Sequence, residues 1–339
     1  MNHGGRLNSA AQEYNIPVED WIDLSTGINP EHWPIPELPS VCFSRLPETD
    51  DGLIGAAQQY YQADNLLPVA GSQAAIQLLP LLRGKSRVAV PEIGYAEHAY
   101  QWKKSGHELV FYQTPDIEKI INDIDVLILI NPNNPTGETY TREQSLRWHQ
   151  VLQSQQGWLI VDEAFIDCNE ANSLVSFSQQ PGLIVLRSIG KFFGLAGVRS
   201  GFVFAEQTLL EEMNEKLGQW ALSGISRYLT KKALLDTTWQ QKNRVLLSRS
   251  SEMLHDLIVQ KSGLTPSGTT LFKTLMHPQA EYIFELFAQQ GVLIRLLDNK
   301  QGVRFGLPKK EEWLLIRSIF EQVFKRINKA EEIEKRKLA

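Results

Sequence analysis

The chain has 339 residues, 42% hydrophobic and 22% charged, with a formal net charge of −5, enough apolar chain for one or two domains with a substantial core. The mild acidity argues against nucleic acid as a partner, because phosphate backbones attract a basic surface. The longest apolar runs, such as 126–130, are strand-sized and too short to cross a bilayer, and the first residues have no signal-peptide core. In chain order, a Pro-rich stretch at 30–47 is expected to cross the site and join a small domain. A strand at 67–70 then runs into a helix reaching residue 82. Strands follow at 87–90, 108–112, 126–130, 158–161, 183–186 and 201–204, with helices at 96–105, 141–155 and 207–217 between them. Unbroken apolar strands alternating with helices predict a mostly parallel sheet covered on both faces. Beyond residue 240 the pattern predicts a helix at 240–259, a strand at 270–275, a helix at 279–290, a strand pair at 291–295 and 302–305, and a closing helix at 311–327. The charged tail 329–339 reads as a frayed helix. The expected organisation is an N-terminal arm of 1–45 that contributes to the small domain, a large domain of 46–238 and a small α+β domain of 239–339. Cys42 and Cys168 have no metal-like spacing, so no metal is expected and a reducing cytoplasm is the default location.

Three strand ends carry candidate chemistry. Lys191 lies in Ser188-Ile-Gly-Lys-Phe-Phe-Gly-Leu-Ala-Gly-Val-Arg199, just after the strand at 183–186. A lysine there, with a hydroxyl and a guanidinium at fixed offsets, can bond an aldehyde cofactor whose phosphate is gripped nearby. Asp162 ends the strand at 158–161 and suits a partner for a pyridinium nitrogen. Asn131-Pro-Asn-Asn-Pro-Thr-Gly137 is a turn that can set an amide beside a ring. Each segment alone has an ordinary explanation as a solvated lysine, a helix cap or a turn. Their conjunction in this order points to a pyridoxal-phosphate (PLP) enzyme.

Together the segments resemble the fold-type I aminotransferase superfamily, in which an Asn-Pro-Thr-Gly turn, an Asp strand end and a Ser-x-x-Lys motif with Arg eight residues on follow in this order. The resemblance implies an α/β, PLP-dependent transferase-like fold: a large domain with a mostly parallel seven-stranded sheet, plus a smaller α+β domain. It implies Lys191 as the residue that bonds PLP, Asp162 as the pyridinium partner, Asn134 on the phenolic oxygen, and Ser188 and Arg199 on the phosphate. Gly71, Ser72 and Gln73 open a helix, where backbone N–H groups attract an anion; the superfamily binds the cofactor phosphate there through Ser72 and the Gln73 backbone. Tyr95 aligns with the aromatic that stacks on the cofactor. His98, one turn on, reads as a surface or supporting group rather than a catalyst. Arg304 stands where these enzymes grip the substrate α-carboxylate, a bidentate task suited to a guanidinium. Arg295 is a candidate for a second anionic group.

The opening His3-Gly4-Gly5 and the segment from Ser25 through Asn29 to Pro30 resemble the threonine-phosphate decarboxylases of cobalamin synthesis. This implies that His3, Gly4, Gly5, Ser25, Asn29, Asn134, Arg295 and Arg304 surround a small phosphorylated amino acid. The reaction implied is loss of CO2 from L-threonine O-3-phosphate, giving (R)-1-amino-2-propanol O-2-phosphate, with Lys191 and Asp162 catalytic. A histidinol-phosphate type of aminotransferase is the alternative, since it shares the Asn-Pro turn and lysine motif without the His-Gly-Gly start. A non-catalytic PLP-binding regulator is a more distant one. A homodimer with shared active sites is also implied. Three departures stand out. Arg6 replaces the family's Asn, and Leu46 stands where relatives carry a tyrosine that reaches the neighbouring subunit's cofactor. Phe165 replaces a tyrosine near the phenolic oxygen, leaving Asn134 as the main polar contact there.

Overall fold

The computed structural model describes residues 4–338, with side chains through residue 329. Contacts divide the chain into two compact units. The larger comprises His32–Asn134 and Glu138–Asn243; the smaller comprises Met1–Glu31, Pro135–Gly137 and Arg244–Ala339.

A seven-stranded sheet organises the larger unit. In spatial order its strands are Leu67–Val69, Gly201–Phe204, Leu183–Ser188, Trp158–Asp162, Val126–Ile130, Arg87–Pro91 and Glu108–Tyr112. Gly201–Phe204 runs against both neighbours, and the other pairings are parallel. All five residues of Val126–Ile130 are buried, which is why this strand reads as an unbroken apolar run. Helices Ala96–Lys104 and Arg142–Ser154 make crossovers between parallel strands. Val88, Ile128, Ile160, Ile184 and Val203 pack in one cluster with Trp102, Leu209, Leu210 and Met213. Burial of each large apolar side chain there contributes roughly 1.5–3 kcal/mol. The register sets Ile130 beside Asp162 and Asp162 beside Leu186, so the turns that follow these strands leave from one edge. That edge is the carboxyl end, where parallel sheets collect ligands.

Several boundaries differ from the sequence pattern. The helix after Leu67–Val69 is α-helical over Ser72–Leu78 and finishes as the 3-10 turn Leu79–Leu82, because Pro80 has no N–H to continue the ladder. Residues 32–45, assigned from sequence to the arm, group with the larger unit. Trp33 N donates to Phe193 O at 2.8 Å and its Nε1 to Asp236 at 3.0 Å. Gly224 lies so close to the Cys42 carbonyl that a Cβ would come within 2.7 Å. The compact units therefore divide at 31/32 instead of 45/46. The second division falls at 243/244, inside the helix Thr237–Ser262, where no break in the sequence pattern marks it.

In the smaller unit Arg295–Leu296, Gly302–Gly306, Phe272–Met276 and Ser267–Gly268 form an antiparallel sheet in that order. The stretch expected as one strand at 291–295 is split. Val292–Leu293 pairs in parallel with Ile22–Asp23, while Arg295–Leu296 pairs with Gly302–Gly306. Strands of two residues are too short to show a period in sequence. The helix Trp313–Leu338 buries Trp313, Ile316, Phe320, Val323, Phe324 and Ile327, a three-to-four spacing that gives one apolar stripe. Phe320 meets the Phe287 and Phe305 rings at 4.9 and 5.0 Å between centroids. Among the described residues, no helix is long and apolar enough to cross a membrane.

Candidate active site

A cavity of about 130 Å³ in the larger unit is lined by Gly71, Ser72, Gln73, Tyr95, Asn134, Asp162, Phe165, Ser188, Lys191 and Arg199. Every cofactor-side residue singled out in the sequence reaches it.

Asp162 ends its strand with the carboxylate turned to two donors. Ala164 N donates to Oδ1 at 3.0 Å, and His98 Nε2 lies 2.9 Å from Oδ2. An ionised carboxylate only accepts, so the imidazole donates through Nε2–H. His98 is therefore a buried supporting group and not a surface one. Its helix starts at Ala96, immediately after Tyr95, and the spacing of three brings both rings onto one face. That spacing was the available sequence signal. Tyr95 is fixed in turn by Gln73. Tyr95 Oη donates to Gln73 Oε1 at 3.1 Å, and Gln73 Nε2 donates to Glu97 at 2.7 Å. The Gln73 side chain thus orients the aromatic ring, beyond any role of its backbone.

The Asn-Pro turn is held at two points. Asn131 Nδ2 donates to Tyr140 O and Asn131 Oδ1 accepts from Tyr140 N, each at 3.1 Å. Asn133 Nδ2 donates to Ile93 O at 2.8 Å. These bonds leave Asn134 facing the cavity. Lys191 Nζ lies 5.4 Å from the centre of the Phe165 ring, so the ring that replaces a tyrosine supports the amine through its π face.

Hydroxyl and guanidinium groups gather around Gly71. Its φ is +72°, and a Cβ would lie 2.6 Å from Arg199 Nη2, so glycine alone fits. A Cβ on Gly201 would lie 2.8 Å from Ser72 N, and Gly201 pairs with Ser188 across the strands. Ser72, Ser188 and Arg199 therefore lie close together, a hydroxyl and guanidinium set that could hold an anion. An amine, a carboxylate, an aromatic face and this anion set, all in one cavity, fit the aldehyde, pyridine nitrogen, ring and phosphate of PLP.

Next to this site lies a charge cluster that sequence reasoning missed. Arg187, one residue before Ser188, is fully buried and pairs with Glu163 at 3.3 Å, Asp167 at 2.9 Å and Glu170 at 2.7 Å. Burial works against its charge, but the carboxylates, Asp167 foremost, keep its pKa well above the ordinary arginine value. Burial pushes Glu163 up to about 7. The cluster ties the strand end before Lys191 to the loop after Asp162. A lone arginine ending an apolar strand was its signal.

The substrate-side candidates lie in the smaller unit. Arg295 and Arg304 stand directly opposite each other on paired strands, and Arg295 Nη2 lies 3.3 Å from Asp298 Oδ1. Burial, then repulsion from Arg295, pulls the Arg304 pKa down to about 10, and Asp23 opposes the drop. Arg304 Nη2 donates to Ser25 O at 2.7 Å, and Gly5 N donates to Ser25 Oγ at 2.7 Å, so Arg304, Ser25 and the Gly4–Gly5 peptide come together. Asn29 is buried and its Oδ1 accepts from Glu31 N at 3.0 Å. His3 lies outside the described residues.

Over residues 48–303 the sequence matches the family described as aminotransferase class I and II. The chain belongs to the class I and II aminotransferase family. Within it, the chain is 44% identical to a threonine-phosphate decarboxylase from Pseudomonas aeruginosa, covering 92% of this chain and 94% of the relative. It is 37% identical to a threonine-phosphate decarboxylase from a Sinorhizobium species, over 87% of this chain and 90% of the relative. A histidinol-phosphate aminotransferase from a Thermoanaerobacter species matches at 25% over 72% of each chain. Among solved structures, the histidinol-phosphate aminotransferase of Sinorhizobium meliloti in complex with pyridoxal-5'-phosphate superposes with a TM-score of 0.79 at 18% identity. That match covers 96% of each chain, and it establishes the class I and II aminotransferase fold.

Proposed function

We propose that this family member is a PLP-dependent threonine-phosphate decarboxylase. It takes L-threonine O-3-phosphate to (R)-1-amino-2-propanol O-2-phosphate and CO2, in the aminopropanol arm of cobalamin biosynthesis. The observation that carries the reading is the convergence of Lys191, Asp162, Asn134, Ser188 and Arg199 on one cavity. Identities of 44% and 37% to threonine-phosphate decarboxylases, against 25% to a histidinol-phosphate aminotransferase, support decarboxylation over transamination.

When bound, the cofactor supplies an aldehyde that bonds the substrate amine and a ring that takes up the electron pair released at Cα. The chain's own residues do the rest. Ser72, Ser188 and Arg199 would hold the phosphate, and Tyr95, oriented by Gln73, would offer its face to the ring. Asp162 is kept in place by the His98 and Ala164 contacts, and its carboxylate would pair with the ring nitrogen. Asn134, which faces the cavity, would donate to the phenolic oxygen. Lys191 would hold the cofactor through its aldehyde, and its amine, facing the same cavity, would carry a proton for delivery to Cα. A positioned general acid of this kind is typically worth about 10² to 10⁴-fold. Arg304 takes the α-carboxylate and Arg295 a second anionic group. Anchoring the substrate at both ends removes torsional freedom about Cα, which selects the bond that breaks.

A cytoplasmic homodimer belongs to the same reading. Ile35, Val41, Phe43 and Leu46 are 47–64% exposed along one short segment, an apolar stretch that a second copy would cover. The direct test is incubation of holoenzyme with L-threonine O-3-phosphate and no keto acid. Release of CO2 with matching aminopropanol phosphate is expected. Conversion of the cofactor to its amine form, with turnover only when a keto acid is added, would replace this function with transamination.

A further inference from the structure

We infer that Asp23 and Ser25 form a latch that pins the Gly4–Gly5 peptide beside Arg304, with the Ser25 hydroxyl acting as a strut and not as a donor to substrate. The inference rests on the proposed role of Arg295 and Arg304 as ligands of the substrate's anionic groups.

A serine hydroxyl has one proton. At Ser25 that proton goes to Asp23, whose Oδ1 accepts from Ser25 Oγ at 2.6 Å and from Ser25 N at 2.8 Å. This is an Asx turn, closed by a charged acceptor. The same Ser25 Oγ accepts from Gly5 N at 2.7 Å. Ser25 is 2% exposed, so these bonds face little competition from water. The hydroxyl therefore has no proton left for a phosphate or carboxylate while the latch is closed.

The backbone of Ser25 is clamped as firmly. Its carbonyl accepts from Arg304 Nη2 at 2.7 Å, which fixes the plane of the guanidinium. A Cβ on Gly4 would lie 2.4 Å from that carbonyl oxygen, so a residue with a side chain does not fit there. One residue earlier, Leu24 O accepts from Gly306 N at 2.7 Å, and a Cβ on Gly306 would lie 2.2 Å from Thr26 O. Residues 23–26 are thus fastened to the strand that carries Arg304, and the glycine pair is fastened to Ser25. Asp23 is the positioning residue. It acts through Ser25 on the orientation of Arg304, whose charge it also favours.

Two readouts on holoenzyme separate this latch from a direct binding role. The first is residue-resolved hydrogen–deuterium exchange at the Gly5 amide without substrate, and the second is KM for L-threonine O-3-phosphate. Ser25→Ala and Asp23→Ala should each speed Gly5 exchange and raise KM by about three- to tenfold, the range for one lost hydrogen bond. Asp23→Asn keeps an oxygen that accepts from Ser25 and should keep the Gly5 amide protected. Ser25→Ala keeps the bonds made by the Ser25 N–H and carbonyl and serves alone if Asp23→Ala does not fold. A rise in KM in Ser25→Ala with unchanged Gly5 exchange would show a direct substrate donor and overturn the latch. Unchanged Gly5 exchange in Asp23→Ala would also overturn it. Failure of the wild-type protein to release CO2 would sink the decarboxylase reading, while the exchange result would still decide the latch.

Discussion

Replacing His98 with leucine tests how much of the site depends on one buried hydrogen bond. The His98 and Asp162 side chains are 2% and 5% exposed, and Nε2 stands 2.9 Å from the carboxylate. A hydrogen bond to a charged partner contributes about 1.5–3 kcal/mol, and about 1.36 kcal/mol is a factor of ten. His98→Leu should therefore lower kcat/KM for L-threonine O-3-phosphate by about 10- to 150-fold. PLP should also dissociate more readily, because Asp162 loses one of the two contacts that hold its carboxylate in place. His98→Gln restores an N–H on a shorter side chain and should recover part of the loss. Cofactor release is followed by absorbance during dialysis, and a thermal melt of each variant checks that the fold is intact. A fall of less than threefold in folded His98→Leu, or identical kinetics for the leucine and glutamine variants, would refute the reasoning.

Two further outcomes follow from the same geometry. In the folded protein Glu163 keeps its proton up to about pH 7, because burial raises it from 4.5. The unfolded chain releases that proton near 4.5, so the native state binds more protons between those values. The associated stability is complete below pH 4.5 and is lost as pH rises toward 7. From 4.5 to about 7, at about 1.36 kcal/mol per pH unit, the change is about 3 kcal/mol. Glu163→Gln should flatten the urea midpoint across this range; an unaltered slope would count against the buried-carboxyl account. Gly71→Ala must adopt φ +72° and crowd Arg199 Nη2 at 2.6 Å. Backbone strain alone costs the folded state roughly 1–2 kcal/mol, so Tm should fall, and the displaced Arg199 guanidinium should weaken PLP binding in a fluorescence titration; wild-type values of both would refute this.

The parts of the fold visible in the sequence are those encoded locally. Val126–Ile130 and Gly201–Phe204 match their sequence bounds because strands buried on both faces stay apolar throughout. Lys191, Asp162 and Asn134 were legible because each sits at the end of such a strand, in a turn with its own residue pattern. What escaped depends on partners far away in the chain. The burial of His98 follows from a contact across 64 residues, and the Arg304–Ser25 bond spans 279. Asp23 has no motif of its own, and its importance appears only when Gly5, Ser25 and Arg304 are seen together. The split at Ile294 follows from pairing with Ile22–Asp23, a two-residue strand that carries no periodic signal.

The most direct measurement is borohydride reduction of the PLP-loaded protein, followed by digestion and peptide mass spectrometry. The pyridoxyl group should be found on Lys191, and Lys191→Ala should take up no stable label. A reduced protein whose label lies on another lysine, or that carries none, would contradict the account at its foundation.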